Sequence, residues 1–223
     1  MAGLQHHFVA GIRARKEVKY VAQRASGHRF ETLHLAQGDE EICGPLSLLQ
    51  AALVLCGWPR TRVANRHPKH EPLRTFWQNV RELYNTGTDE RDLSSLAELL
   101  APDVGFEVMK STSPKRIGRA ALEAIAAGHI PIVRMTGATD SHWATAVGAE
   151  CLASGEVLAL LLLDTSADPP WATFFNARLE LLAEATARKP FVLPVRYDDG
   201  KLWRTHVESL FVVKRGGITS EQP

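Results

Sequence analysis

The sequence predicts an α+β fold, with an N-terminal helical layer packed on a C-terminal antiparallel β-sheet. Three observations predict it. Residues 45–56 are apolar nearly all round, and apolar residues recur at helical spacing over 73–85. Runs of strand length and strand composition dominate residues 130–214. Several connections between those later runs are short and carry turn residues, which suits antiparallel pairing. The composition allows one domain of this kind: 223 residues, 45% hydrophobic and 23% charged, with a net charge of +1.

Taken in order, residues 8–30 carry Arg13, Arg15, Lys16, Lys19, Arg24 and Arg29 against one acid, Glu17. They read as a solvated face, because the aromatic interleaving of single-strand binders is missing. Residues 30–36 suit a short strand. Residues 45–56 (PLSLLQAALVLC) are apolar nearly all round, the mark of a buried helix. Pro45 fits its first turn and Gly57 its end. Three prolines make 58–72 a loop. Helices follow over 73–85 and 93–100, the second capped near Asp92. A strand at 106–109 precedes a helix over about 117–127, closed by Gly128. Strands are expected at 130–135, 142–149 and 156–163, and a helical stretch near 171–187. A hairpin ends the domain: 191–196, a Tyr197-Asp198-Asp199-Gly200 turn, then 201–214, broken near Glu208. The chain thus divides into a basic extension (1–30), a folded domain (31–215) and a flexible tail (216–223). Gly216-Gly217 could mark a processing site, but a flexible tail is the simpler reading.

The same features exclude several function classes. A near-neutral chain has no global field to hold nucleic acid or an anionic membrane. The longest apolar runs, such as 157–163, are too short to span a bilayer. Residues 1–20 lack the pattern of a cleaved secretion signal, so the expected location is cytoplasmic, or exported without a cleaved signal peptide. The cysteines are Cys43, Cys56 and Cys151. Cys43 and Cys56 share one helix and so stand roughly 20 Å apart, too far for a disulfide. Cys56 reads as core and Cys151 as an incidental thiol in a hairpin turn. His67 and His70 do not make a metal site, because Pro68 breaks their spacing and no cysteine joins them. Trp143 is expected in the core, and Trp77, Trp171 and Trp203 in the core or a cleft wall.

One constellation carries chemistry. Cys43 opens the buried helix, where the positive end of the helix dipole favours thiolate. A thiolate nucleophile needs a histidine held by an acid or amide. The short connection 151–155 makes 142–149 and 156–163 a hairpin. With Glu150 opposite Glu156, His142 stands opposite Asp164, within side-chain reach on one face. A slip of one residue would separate them. Gln37, six residues before Cys43, could join the Cys43 N–H in an oxyanion hole. Asp39, Glu40 and Glu41 put three acids beside the thiol, where they would raise its pKa unless they point away.

Gln37 followed by Cys43-Gly44-Pro45 at a buried helix start resembles the active-site start of papain-like cysteine peptidases. The Cys-Gly-Pro form is most similar to the bacterial double-glycine leader peptidases and their stand-alone relatives. Residues 120–128 with Ile130-Pro131-Ile132-Val133, then His142-Trp143 and Asp164, follow that family's order over roughly residues 31–215. The resemblance implies a papain-like fold, with Cys43 as nucleophile, His142 as base, Asp164 as orienter and Gln37 as oxyanion donor. One departure stands out: the family has Pro directly after the acid, whereas Thr165-Ser166 follow Asp164 here.

Three functions follow as expectations. The first is hydrolysis of a peptide or isopeptide amide through a Cys-His-Asp triad and a thioester. The second uses the same triad for glutamine deamidation or acyl transfer, as effector proteins do. The third is a non-catalytic papain-like binding module. The expected partner is a protein or peptide substrate, with an inhibitor or immunity protein as a further candidate. No cofactor, metal, nucleic acid or membrane is implied. Residues 58–72 and 165–190 are the expected pocket walls.

Overall fold

A computed structural model describes residues 4–9, 12–14, 20–23, 30–32, 34–38, 41–66, 68–170, 175–182 and 192–216. The strands are β1 (Leu4–Phe8), β2 (Ile12–Ala14), β3 (Tyr20–Gln23), β4 (Phe30–Thr32), β5 (Val104–Lys110), β6 (Ile130–Thr136), β7 (Ser141–Leu152), β8 (Val157–Leu163), β9 (Ala177–Glu180), β10 (Leu193–Tyr197) and β11 (Leu202–Arg215). The helices are α1 (Cys43–Cys56), α2 (Arg60–Val63), α3 (Glu71–Glu82), α4 (Glu90–Glu98) and α5 (Pro114–Ala126).

The expected architecture, a papain-like α+β fold with an N-terminal helical layer packed on a C-terminal antiparallel sheet, does not form. Strands β6, β7, β8, β9, β10 and β11 pair in a ring, β11 returning to β6, so the sheet closes into a six-stranded antiparallel barrel. Two strands are added to it: β1 pairs with β7 and β5 with β11. Strands β2, β3 and β4 form a separate three-stranded sheet.

The closing element is β9, which lies inside the stretch expected to be helical. Residues 175–182 are rich in Ala, Leu, Glu and Arg, which favour helix, yet pairing with β8 and β10 overrides that local preference. The side chains then alternate. Ala177 and Leu179 are buried, while Arg178 and Glu180 lie on the outer side. Arg178 binds Glu150 of β7 at 2.6 Å and Glu180 at 2.6 Å, and Arg196 of β10 binds Glu180 at 2.8 Å. A run of paired charges thus crosses the outside of the closure.

The length of β7 and β11 explains the two added strands. β7 pairs with β6 through residues 141–145 and with β1 through residues 148–152. β11 pairs with β10 through 202–205, then with β5 through 209–215. Each reaches past the barrel and offers its free backbone to a further partner. The break expected near Glu208 is a register shift between Val207 and Ser209.

Helix α1 begins at Cys43, two residues earlier than expected, and is buried over its first eleven residues. It packs against β6, β7 and β11. Its buried Gln50 is fully used: Nε2 donates to Thr145 Oγ1 (3.1 Å) and the Leu163 carbonyl (3.1 Å), and Oε1 accepts from Leu35 N–H (2.9 Å). The loop expected over 58–72 contains α2, and α3 starts at Glu71. Asp89, rather than Asp92, caps α4, in a reciprocal capping box with Asp92. No described helix is long and apolar enough to cross a membrane.

Leu179 is fully buried in the closing strand. Leu179→Ala is expected to lower the unfolding free energy by about 2–5 kcal/mol in urea titration. A loss below about 1 kcal/mol would show that β9 is dispensable to the core.

Candidate active site

The residues singled out in the sequence meet at one end of the barrel. β6 and β8 end there, β7 and β11 begin there, and the start of α1 stands beside them. His142 is the second residue of β7 and Asp164 the first after β8. His142 Nε2 lies 2.7 Å from Asp164 Oδ1. With Nε2 taken by the carboxylate, Nδ1 is the ring nitrogen for a second partner. That partner is the Cys43 thiol, which is hydrogen-bonded to His142.

The strand register behind this contact differs from the expected one. The hairpin loop is three residues, with Leu152 N–H donating to Glu156 carbonyl (2.9 Å) and Gly155 at φ +84°. That left-handed position suits glycine, and the loop is the usual three-residue turn. Thr145 therefore faces Leu163, two residues off the expected pairing. Two irregularities lie between the loop and the site, at Ala146/Gly148 and Glu150/Cys151. The first adds Val147 to β7 and the second adds Leu158 to β8, so they cancel. A shift of two keeps both side chains on the same face, and His142 meets Asp164 as a diagonal neighbour. Cys151 is also placed differently, buried within β7 rather than in the turn.

Asp164 has none of its side chain exposed. Its Oδ1 accepts from His142, from Ser166 N–H (2.8 Å) and from Ser166 Oγ (2.7 Å). Its Oδ2 accepts from the Tyr197 hydroxyl (3.0 Å). Burial alone would raise its pKa, but the charge and hydrogen bond of His142, with the two Ser166 donors, hold it down at about 2. For His142, burial opposes the charged form, yet Asp164 and Cys43 hold its pKa well above the ordinary histidine value. Tyr197 is raised by burial and by the carboxylate it faces.

Cys43 is 7% exposed and is the first residue of α1. As such its N–H has no acceptor within the helix. Trp143 N–H lies 3.5 Å from its sulfur. Burial pushes the thiol up, but the His142 charge and hydrogen bond and the Trp143 N–H outweigh it, and the pKa falls below the usual value. The arrangement favours a thiolate–imidazolium pair. Gly44 sits at a close approach: a Cβ there would stand 3.1 Å from both Thr88 Cβ and Trp143 Cδ1, so these neighbours would have to give by a few tenths of an ångström. Trp143 is buried in the core as expected, with Nε1 donating to the Thr88 carbonyl at 2.7 Å.

Gln37 lines the same cleft as Cys43 and His142. Its Oε1 accepts from Thr165 Oγ1 (3.2 Å), and its N–H donates to the Thr165 carbonyl (2.8 Å). The cleft measures about 730 Å³. Its walls differ from those expected. Thr86, Gly87, Thr88 and Asp89 form one side, and Thr139, Asp140 and Ser141 another, with Tyr197 and Trp203 beside His142. Residues 58–72 contribute nothing among its described lining, and 165–190 only Ser166. Glu41 is exposed on the rim, while Asp39 and Glu40, like His67, Trp171 and Gly217, lie outside the described residues. Among the described residues, no group of three or more His, Cys, Asp or Glu is placed to hold a metal ion.

Sequence reasoning missed Ser166, Tyr197 and Asn176. Asn176 accepts from Asp164 N–H (2.7 Å) and donates to the Asp164 carbonyl (2.8 Å). The one available signal was the departure at Thr165-Ser166, where two hydroxyls follow the acid. No protein-family model matches the chain, and no curated protein matches it.

Two measurements test this electrostatic description. Iodoacetamide alkylation of Cys43 is expected to follow an apparent pKa below the free-thiol value of about 8.5, with His142→Ala removing the advantage. Cys56, pushed up to about 11, stays slow at neutral pH. A Cys43 profile unmoved by His142→Ala would contradict the coupling. The second measurement uses Asp164, whose folded pKa is depressed. Its contribution is present above the ordinary carboxylate range near ~4 and is lost as pH falls toward the folded value. The stability gap between wild type and Asp164→Asn is therefore expected to narrow by about 2 kcal/mol on acidification. A gap constant from pH ~5 to ~2 would refute it.

Proposed function

We propose that this chain is a cysteine-dependent hydrolase that cleaves an amide bond, peptide or isopeptide, through a thioester on Cys43. The observation that carries the reading is the continuous hydrogen-bonded line Cys43–His142–Asp164, lying along a cleft large enough for an extended peptide segment. The resemblance of Gln37, Cys43-Gly44-Pro45, His142 and Asp164 to the papain-like cysteine peptidases supports the same roles. The barrel carries no part of the argument, because function resides in the site and not in the fold.

The chemistry follows from the positions. His142 takes the Cys43 proton, and Asp164 steadies the imidazolium. The thiolate attacks the substrate carbonyl carbon, and the carbonyl π electrons move to oxygen. The Cys43 N–H and the Gln37 amide are the donors for that oxyanion. His142 then protonates the leaving amine, the C–N bond breaks, and a thioester remains. Water, deprotonated by His142, attacks the thioester, and the thiolate departs. The substrate is a protein or peptide segment that enters between the 86–89 and 139–141 walls.

A synthetic peptide library incubated with the enzyme and read by mass spectrometry tests this. Cleavage is expected with wild type and is expected to fall at least about a thousandfold in Cys43→Ala and His142→Ala. The rate is expected to be bell-shaped in pH. It falls on the acid side as the thiolate is protonated, and on the alkaline side only well above the usual histidine range, where His142 loses its proton. Cleavage that survives Cys43→Ala would overturn the reading. An intact chain heavier by about one dalton would assign deamidation instead.

A further inference from the structure

We infer that Tyr197 is a positioning residue for the acid of the triad. Its hydroxyl holds one carboxylate oxygen of Asp164, and so keeps the other turned to His142. The chemistry at Cys43 is thereby tied to the strand pairing that closes the barrel. The inference rests on the hydrolase reading above and adds a residue which that reading does not use.

A carboxylate that orients a histidine has two equivalent oxygens, and it turns readily about the bond to its Cβ. The two oxygens of Asp164 are supplied unequally. Oδ1 takes His142 Nε2 and both donors of Ser166. Oδ2 has one donor among the described residues, the Tyr197 hydroxyl at 3.0 Å. An ionised carboxylate only accepts, so Tyr197 is the donor in this bond. None of the Asp164 side chain is exposed. Without the hydroxyl, Oδ2 is a buried, charge-bearing atom with no partner. The carboxylate then either takes a proton on Oδ2 or turns out of its present plane to share the donors of Oδ1. Either response weakens its hold on the imidazolium, and through that on the Cys43 thiolate.

The surroundings keep Tyr197 a donor and keep it in place. Burial and the carboxylate it faces hold its own proton on beyond the usual tyrosine range. Within the turn, Tyr197 N–H donates to the Lys201 carbonyl and its carbonyl accepts from Gly200 N–H, both at 3.0 Å. Across the closure, Tyr197 pairs with Ala177 of β9. Asn176, just before β9, links the two partners. Its side chain holds both backbone groups of Asp164, and its carbonyl accepts from Asp198 N–H at 3.1 Å. Besides His142 and Cys43, the titratable groups around the pair are His34, Asp140 and Asp199. His34 Nε2 lies 2.9 Å from the Asp164 carbonyl, and the two acids face Tyr197.

Tyr197→Phe removes the hydroxyl and keeps the ring. Iodoacetamide alkylation of Cys43, in which the sulfur displaces iodide at a methylene carbon, reads the effect as a pH profile. The thiolate is expected to form at higher pH in the variant, slowing alkylation about threefold to tenfold near pH ~6. Near pH ~9.5, where both proteins carry the thiolate, the rates are expected to agree within about twofold. In an Asp164→Asn background, adding Tyr197→Phe is expected to change the rate by less than about twofold at either pH, because the charge it serves is gone. An unshifted profile, the same slowing at every pH, or an equal effect in the Asp164→Asn background would overturn the proposal. The His142 ring resonances give a readout that needs no reactivity at Cys43. In Cys43→Ala, adding Tyr197→Phe is expected to lower the His142 titration midpoint by about half a pH unit or more. A midpoint that does not move would also overturn the proposal. A Cys43 inert to iodoacetamide in wild type would count instead against the hydrolase reading, with the His142 midpoint still deciding the role of Tyr197.

Discussion

A carboxylate stripped of water has to be given donors by the protein, or it takes up a proton and ceases to be an anion. The ionised Asp164 side chain meets that demand with four donors from three residues, drawn from β7, from its own loop and from the end of β10. Much of the architecture follows from satisfying this one group. The β7–β8 hairpin must keep His142 on the same face as Asp164. The 164–166 turn must fold back so that Ser166 reaches Oδ1. The ring of strands must bring Tyr197 around to the other oxygen, and β9 is what carries β10 to that place.

The same constraint accounts for the polar interior near the site. Gln50 sits in the middle of an otherwise apolar helix, and there it joins β7, the end of β8 and the segment leading to Gln37. Asn176 does the equivalent at the strand end, pairing with both backbone groups of Asp164. A fully satisfied buried network of this kind holds its members in one arrangement, because any other leaves a donor or acceptor unmet. Rigidity at this end of the barrel is therefore a product of hydrogen-bond accounting as much as of packing.

How much of this was legible in the sequence depended on how far each partner lay along the chain. Helix α1 with Cys43 at its start was readable from fourteen consecutive residues, and the β7–β8 hairpin from a short connection. Even the wrong register kept His142 and Asp164 on one face, because the error was an even number of residues. The closure was not readable. Residues 177–180 have the composition of a helix, and their strand character comes only from β8 and β10 on either side. With β9 taken as helix, the sheet had no way to meet its own far edge, and an open layer was the natural inference. The role of Tyr197 escaped for the same reason: it acts on Asp164, more than thirty positions away.

The two irregularities in the β7–β8 hairpin compensate one another. One extra residue in β7 and one in β8 cancel, so the strand ends at the site and those at the tip share the same relative alignment. Either irregularity alone would leave the two ends of the hairpin one residue out of step, so the alignment that brings His142 to Asp164 depends on both being present.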